Sequence, residues 1–395
     1  MNKRYCYAFL VILFSSIVLL PSCKKEINDD GDDNNNPPPV STNFTLQWTD
    51  LPEFAIDQPG VPFGNYISKV YSTAYASGNM YALISDKFNI FRLVRLPSTN
   101  DTLHVVSLPF DPYFGKVFNY DDNGIIIAYH PQGQSITKVY QYSETGGLNP
   151  LPDLNFGTNQ LYNISAYVGQ VYAMAQTTDS TYVYRYNNSQ WEIVGGSAFS
   201  ERLPFYLGVQ AGGGRIVAYG YNPPGTLSGG YYLKQFDGTQ WQQIPLPAID
   251  TTDLLTQHYM TMNKTGSLMA LNQINYGTKQ SKVFVYNFGT SAWTEHTFQG
   301  QPGGSTTMVT NLKFDELIPE RLYATYISYP MQVSFYSLFG LKCLDGNTWT
   351  SSDSLPSTFT DPIDYIGYHP RGANLYFGWS MANSPTTGVF FAAQR

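Results

Sequence analysis

Residues 182–191 read YVYRYNNSQW: an alternating apolar run, a short polar turn, then a tryptophan. Near-copies return as LKQFDGTQW at 233–241, FVYNFGTSAW at 284–293 and LKCLDGNTW at 341–349. Their Trp residues stand at 191, 241, 293 and 349, separated by 50, 52 and 56 positions. Self-similarity at this period, with several short strands in each unit, points to blades of a β-propeller rather than to a helical solenoid. Around Trp191 the strands are YNISAYVG, VYAMAQ, TYVYRYN and WEIVGG. Around Trp293 they are YMTMNKTG, SLMALNQ, KVFVYNF and WTEHTF. Period-2 alternation sends one face of each strand into the gap between neighbouring blades. The polar turns NNSQ, DGTQ and DGNT are hairpin signals, and the Trp that opens each fourth strand is sized to wedge the wide outer part of the gap.

Working outward, KVYSTAYASG, NMYALIS, FNIFRLVRL and TLHVVSLP form an earlier unit without the Trp. The next unit shows GIIIAYHP, TKVYQYSE and LNPLP. The last unit shows IDYIGYHP, ANLYFGWS and GVFFAAQR, one strand short, and FTLQWTDLP near the start supplies a strand of the missing kind. Strands ending near 52, 109, 152, 195, 247, 298 and 356 give the expected fold: all-β, a seven-bladed β-propeller with an N-terminal strand closing the last blade. Composition agrees, since 34 Gly, 25 Pro and 32 Tyr in 395 residues favour short strands joined by turns. The chain is 43% hydrophobic and 13% charged, enough for a large core. A formal net charge of −7 argues against a nucleic-acid surface.

The opening MNKRYCYAFLVILFSSIVLLPSC has the layout of a secretory signal: Lys3 and Arg4, an apolar run over 7–20, then Leu20-Pro21-Ser22-Cys23. That run is shorter than the ~20 residues a spanning helix needs. Leu20 to Cys23 resemble a bacterial lipobox. The resemblance implies cleavage before Cys23 and lipidation of its thiol, with an ordinary cleaved signal as the alternative. The acidic, Pro-rich KKEINDDGDDNNNPPPVSTN that follows cannot bury a core and is expected to be a disordered tether. It is similar to the export signal of surface lipoproteins of Bacteroidetes type. The expected organisation is therefore signal peptide 1–22, lipidated Cys and tether 23–43, and propeller 44–395. The expected location is the outer membrane at the cell surface, or facing the periplasm. Cys343 is then left as the lone Cys, with no internal disulfide, and is read as a small packed residue.

The strand-c Tyr or Phe residues followed by a turn and Trp, as in Tyr186 to Trp191, resemble kelch-type and galactose-oxidase-like propellers. The chain departs from the kelch pattern where a Gly-Gly pair should follow the second strand, reading AMAQ, ALNQ or YATY instead. LDGNTW is similar to the sialidase Asp-box but lacks the residue that box places between Asp and Gly. The copper site of galactose-oxidase-like enzymes, which the resemblance would imply, is disfavoured because Cys343 falls in a third strand. The five His residues, 104, 130, 258, 296 and 369, form no metal-spaced pair. No metal, cofactor or catalytic residue is assigned, and AGGGR at 211–215 reads as a tight turn.

Function is expected on the loops between second and third strands, YNPPGTLSGG, QINYGTKQ, ISYPMQ and WSMANSPTT. They supply Tyr221, Tyr276, Tyr329 and Trp379, rings suited to stacking on sugars or peptide groups. The short stretches Asp101-Thr102-Leu103 and Asp353-Ser354-Leu355 are similar to an O-glycosylation acceptor of exported Bacteroidetes proteins. Three classes of function stay open. One is a monomeric, membrane-anchored module binding a glycan or an envelope protein partner; the second is an exported carbohydrate-active hydrolase or lyase working in the funnel; the third is a purely structural envelope scaffold, which the sequence does not separate from the first.

Overall fold

The computed structural model describes residues 47–50, 67–86, 90–96, 104–112, 115–131, 134, 136–154, 161–167, 169–176, 180–187, 189–199, 205–222, 230–247, 256–275, 280–298, 304–315, 318–330, 338–351, 374–378 and 390–394. The chain divides into two units, Met1–Ser41 and Thr42–Arg395, and all of these residues belong to the second.

Strand β1 (Gln47–Asp50) stands apart in sequence from the blades. The first blade is β2 (Ile67–Ala76), β3 (Asn79–Asp86), β4 (Phe91–Leu96) and β5 (His104–Val106). The second is β6 (Lys116–Asn119), β7 (Gly124–Tyr129), β8 (Lys138–Ser143) and β9 (Gly147–Pro150). The third is β10 (Leu161–Tyr167), β11 (Gln170–Gln176), β12 (Thr181–Asn187) and β13 (Gln190–Phe199). The fourth is β14 (Phe205–Gly212), β15 (Arg215–Asn222), β16 (Gly230–Phe236) and β17 (Trp241–Gln243). The fifth is β18 (Thr256–Met262), β19 (Leu268–Asn275), β20 (Gln280–Asn287) and β21 (Ala292–Thr297). The sixth is β22 (Gly304–Phe314), β23 (Leu322–Pro330), β24 (Leu338–Asp345) and β25 (Thr348–Ser351). Each is a four-stranded antiparallel meander in chain order, and β26 (Asn374–Gly378) and β27 (Phe390–Gln394) complete the chain.

The expected count of seven blades is corrected here. Among the described residues there are six four-stranded blades, and the remaining sheet has three strands in the order β1-β27-β26. IDYIGYHP, residues 363–370, which the four-strand period expects as a further strand, lies outside the described residues. The all-β propeller class itself is what the sheets form. The two ends of the domain do meet, because β1 pairs antiparallel with β27 in the register Gln47↔Gln394, Trp48↔Ala393, Thr49↔Ala392 and Asp50↔Phe391.

The core lies between blades. Leu83 and Leu93 of the first blade pack with Ile125 and Ile127 of the second. Ile126 and Val139 face Val171 and Ala173 of the third. Val183 and Phe199 meet Val209 and Ala218 of the fourth. Val217 and Leu233 meet Met260 and Met269 of the fifth, and Val283 meets Val309 and Leu322 of the sixth. Adjacent residues Ile126 and Ile127 serve opposite gaps, which is the alternation of a strand buried on both faces.

The repeated Trp does more than fill space. Its indole Nε1 reaches the preceding blade and donates to a main-chain carbonyl: Trp191 to Pro152 at 2.9 Å, Trp241 to Val194 at 2.8 Å and Trp293 to Pro245 at 2.6 Å. Each ring also rests against the aromatic residue at its turn, with centroids 5.4 Å apart for Tyr186–Trp191 and Phe236–Trp241 and 4.9 Å for Tyr286–Trp293. Trp349 packs edge-on against Phe298 of the blade before it. The turns suit their residues as well. At Asp237 one carboxylate oxygen accepts from the Thr239 and Gln240 amides at 2.8 Å, and these bonds hold its pKa below the usual value. Gly213 of AGGGR has φ +55°, and a Cβ there would stand 1.8 Å from the Thr265 carbonyl oxygen of the next blade. The glycine run is a turn, as expected, and also a close approach between blades.

His296 in β21 is buried, 8% exposed, and burial pushes its imidazole pKa below the ordinary value. The unfolded chain takes up that proton near pH ~6.5, so this contribution to stability is complete above that pH and is lost as pH falls through the lower folded value. Denaturation midpoints measured at about pH 7 and about pH 5 should therefore converge in His296→Gln relative to the parent. An undiminished acid loss in the variant would rule His296 out as a source.

Candidate functional site

The first strands of the six blades, β2, β6, β10, β14, β18 and β22, line one chamber of about 670 Å³. Its walls come from the ends of these strands that turn into the second strands: Tyr71 to Thr73 with Tyr75, Lys116 to Asp122, Ile164 to Tyr167, Gln210 and Ala211, Met260 to Met262 with Lys264, and Asn311 to Asp315. A first strand has a free hydrogen-bonding edge, and buried edge groups need partners. Neighbouring blades supply them reciprocally. Ser72 Oγ of β2 accepts from the Val117 amide of β6 at 2.7 Å, and Asn119 Oδ1 of β6 accepts from the Tyr75 amide of β2 at 2.8 Å. On the far side, Ser281 Oγ accepts from the Val309 amide and Asn272 Nδ2 donates to the Val309 carbonyl. These side chains are thereby fixed, and the chamber wall is a rigid frame.

The turns at this end also interlock. The Ser77 amide donates to Asp122 O, Gly169 to Tyr120 O and Gly213 to Lys264 O. Asn263 Nδ2 donates to Pro319 O at 2.9 Å. Three carboxylates line the chamber. Asp315 is buried and accepts from the Tyr323 hydroxyl at 2.9 Å and the Ile318 amide at 3.0 Å. Asp121 accepts from the Asn123 amide within its own turn, while Asp122 is exposed. Lys264 and Lys313 line the same end, and Lys116 stands at the start of β6. Lys116 is exposed on the chamber wall, and partial desolvation there lowers its pKa. Burial first, then the Asp121 carboxylate and Tyr186, raises the Tyr120 phenol.

The residues singled out from the sequence fall elsewhere. Tyr221 stands near the end of β15, opposite Phe205 and Tyr231, and Tyr329 near the end of β23, opposite Thr306. Both are paired within their strands, at the end of the second strand remote from its turn with the first, rather than in the loops that follow. Tyr276 and Trp379 lie outside the described residues, as do Cys23 and both Asp-Ser/Thr stretches. Cys343 is buried in β24. His130 Nδ1 lies 3.3 Å from Thr137 Oγ1, and His369 is outside the described residues. Of the third-strand arginines, Arg95 ion-pairs with Glu144 of the second blade and Arg185 pairs with Glu192 of its own blade. Among the described residues no three His, Cys, Asp or Glu side chains converge as a metal site.

The chamber residues are what sequence reasoning missed. Their signal is a polar run at the close of a first strand, FNYDD at 118–122, MNKTG at 262–266 and KFDE at 313–316. Each run is short, and the six contributions are brought together only by the ring.

No family model and no curated protein matches the sequence. Solved structures do. An oligogalacturonate lyase from Vibrio parahaemolyticus is similar at 10% identity and TM-score 0.54, over 89% of this chain and 97% of that one. A GH74 xyloglucanase from Xanthomonas campestris is similar at 13% identity and TM-score 0.54, over 86% of this chain and 54% of the xyloglucanase. The extracellular domain of a hybrid two-component system from B. thetaiotaomicron is similar at 11% identity and TM-score 0.50, over 87% of this chain and 39% of that one. At such identities the likeness is one of fold, and the fold is a β-propeller.

Proposed function

We propose that this protein is a membrane-anchored β-propeller that binds a glycan. The anchor is the lipidated Cys23, the tether is residues 23–43, and the location is the outer membrane at the cell surface. The observation that carries the binding reading is the axial chamber. Its volume of about 670 Å³ falls within the ~300–1,000 Å³ usual for ligand sites. Its walls alternate hydroxyls and amides (Thr73, Gln210, Thr261, Asn311) with aromatic rings (Tyr75, Phe118, Tyr167). Hydroxyl-rich rings with apolar faces are the ligands such a mixture suits, because amides take the hydroxyls and aromatic faces take the C–H surfaces. The lyase and xyloglucanase with this fold are named for carbohydrates, which supports the class of ligand. Asp315, the most buried carboxylate of the chamber, is engaged by Tyr323 and the Ile318 amide, which favours binding over acid–base work there. The loop aromatics Tyr221, Tyr276, Tyr329 and Trp379 are proposed as a separate contact surface, since Tyr221 and Tyr329 stand at the strand ends remote from the chamber's turns.

The test is retention of the full chain, solubilised from membranes, on immobilised polysaccharides. Saturable binding is expected, lost in Thr261→Trp, which fills part of the chamber, and weakened about three- to tenfold by Tyr276→Ala or Trp379→Ala, the worth of a stacking contact of ~1 kcal/mol. A folded Thr261→Trp variant that binds every retained polysaccharide as the parent does would refute the chamber as the site.

A further inference from the structure

We infer that the chamber selects saccharides bearing a negatively charged group, and that Lys116 is the residue that takes the charge. The inference rests on the glycan reading above and deepens it.

Lys116 is placed by the chain on both sides. Before it, the Gly115 amide donates to Pro112 O at 2.8 Å, and a Cβ on Gly115 would stand 2.9 Å from that oxygen and 3.0 Å from Ala128 O. Only glycine admits so close a turn into β6. After it, Val117 is locked to Ser72 and Asn119 to Tyr75. The ammonium therefore hangs from a backbone fixed within one residue in each direction, which is the preorganisation a recognition group needs.

Among the described residues its charge has no ion-pair partner. Among the described residues the five ion pairs are Arg95–Glu144, Lys138–Asp153, Arg185–Glu192, Lys282–Glu295 and Arg321–Asp345, and Lys116 is in none. Burial alone acts on its pKa, and it lowers it. The ammonium lines the chamber from a fixed backbone and belongs to none of these pairs, so it is open to a ligand anion, which would gain a charge-assisted hydrogen bond. Asp121 and Asp122 at the turn are accompanied by Lys264 and Lys313, so the mouth carries both signs and is screened by salt. A carboxylated sugar and a sulfated sugar present the same chemistry to Lys116.

The experiment is calorimetric titration of the full chain with neutral, uronate-bearing and sulfated oligosaccharides of matched length. Anionic ligands should bind about ten- to a hundredfold more tightly than neutral ones, as expected for a hydrogen bond to a charged group. Lys116→Met should bring both to the neutral affinity, and Lys116→Arg, which keeps the charge, should retain the preference. A uronate preferred to a sulfate, or the reverse, supports the inference and identifies which anion the site takes. Equal binding of neutral and anionic sugars by the parent, or a preference that survives in Lys116→Met, overturns the inference and leaves the glycan reading standing. Binding of no saccharide at all overturns both.

Discussion

Trp241→Ala should destabilise the domain by roughly 3 kcal/mol, toward the low end of the ~3–5 kcal/mol range for removing a large aromatic, because the ring is only partly buried. Two losses combine. The ring packs against Phe236 with centroids 5.4 Å apart and against the core shared by the third and fourth blades, so its removal leaves a gap in that core. Its Nε1 also donates to Val194 O at 2.8 Å, a bond that ties one blade to the next. Trp241→Phe separates the two, since it keeps most of the packing and gives up the bond, and should cost about 1 kcal/mol. Denaturant titration of the two variants checks the ranking. Equal stability of parent, Phe and Ala forms would mean that the repeated Trp is not an inter-blade latch.

Removing the chain through Asp50 should have an effect of similar size and a different character. The four pairs from Gln47↔Gln394 to Asp50↔Phe391 join strands from the two ends of the sequence, so they hold those ends together rather than extend a local hairpin. Their loss costs on the order of 4 kcal/mol at ~1 kcal/mol per net hydrogen bond. It also leaves β27 as an open edge, the kind of strand that invites pairing with other molecules. Limited proteolysis should cut the truncated protein first between 374 and 394, and its solubility should fall. A truncated form that resists protease as the full domain does would show that β1 is dispensable.

Much of the fold was legible because blades repeat. The turn-and-Trp signature marked the third to sixth blades, and its polar turns and strand order are those observed. The second blade was harder. Its first strand is only KVFN, 116–119, too short to show alternation, so the reading found β7, β8 and β9 and passed over β6. That omission hid Lys116. The blade count went astray where regular spacing was carried beyond Ser351 into a sheet of three strands. The chamber was illegible for a geometric reason: its residues lie one blade apart in sequence, and only closure of the ring gathers them. Tyr221 and Tyr329, expected in loops, belong to the last paired residues of β15 and β23, because a strand end and the loop after it share the same polar and aromatic composition.

The pairing of β1 with β27 is the longest-range contact of the fold, joining strands at the two ends of the sequence. The direct measurement is a disulfide between Thr49→Cys and Ala392→Cys in a chain whose Cys6, Cys23 and Cys343 are replaced by Ala. Thr49 and Ala392 are directly opposite in the β1–β27 ladder. Opposite residues in an antiparallel pair have Cα atoms ~4.5–5.5 Å apart, within the span a disulfide bridges. The account predicts near-complete intramolecular cross-linking under mild oxidation, and little in a control that carries Tyr120→Cys in place of Thr49→Cys. Two free thiols after oxidation of the folded protein would contradict it.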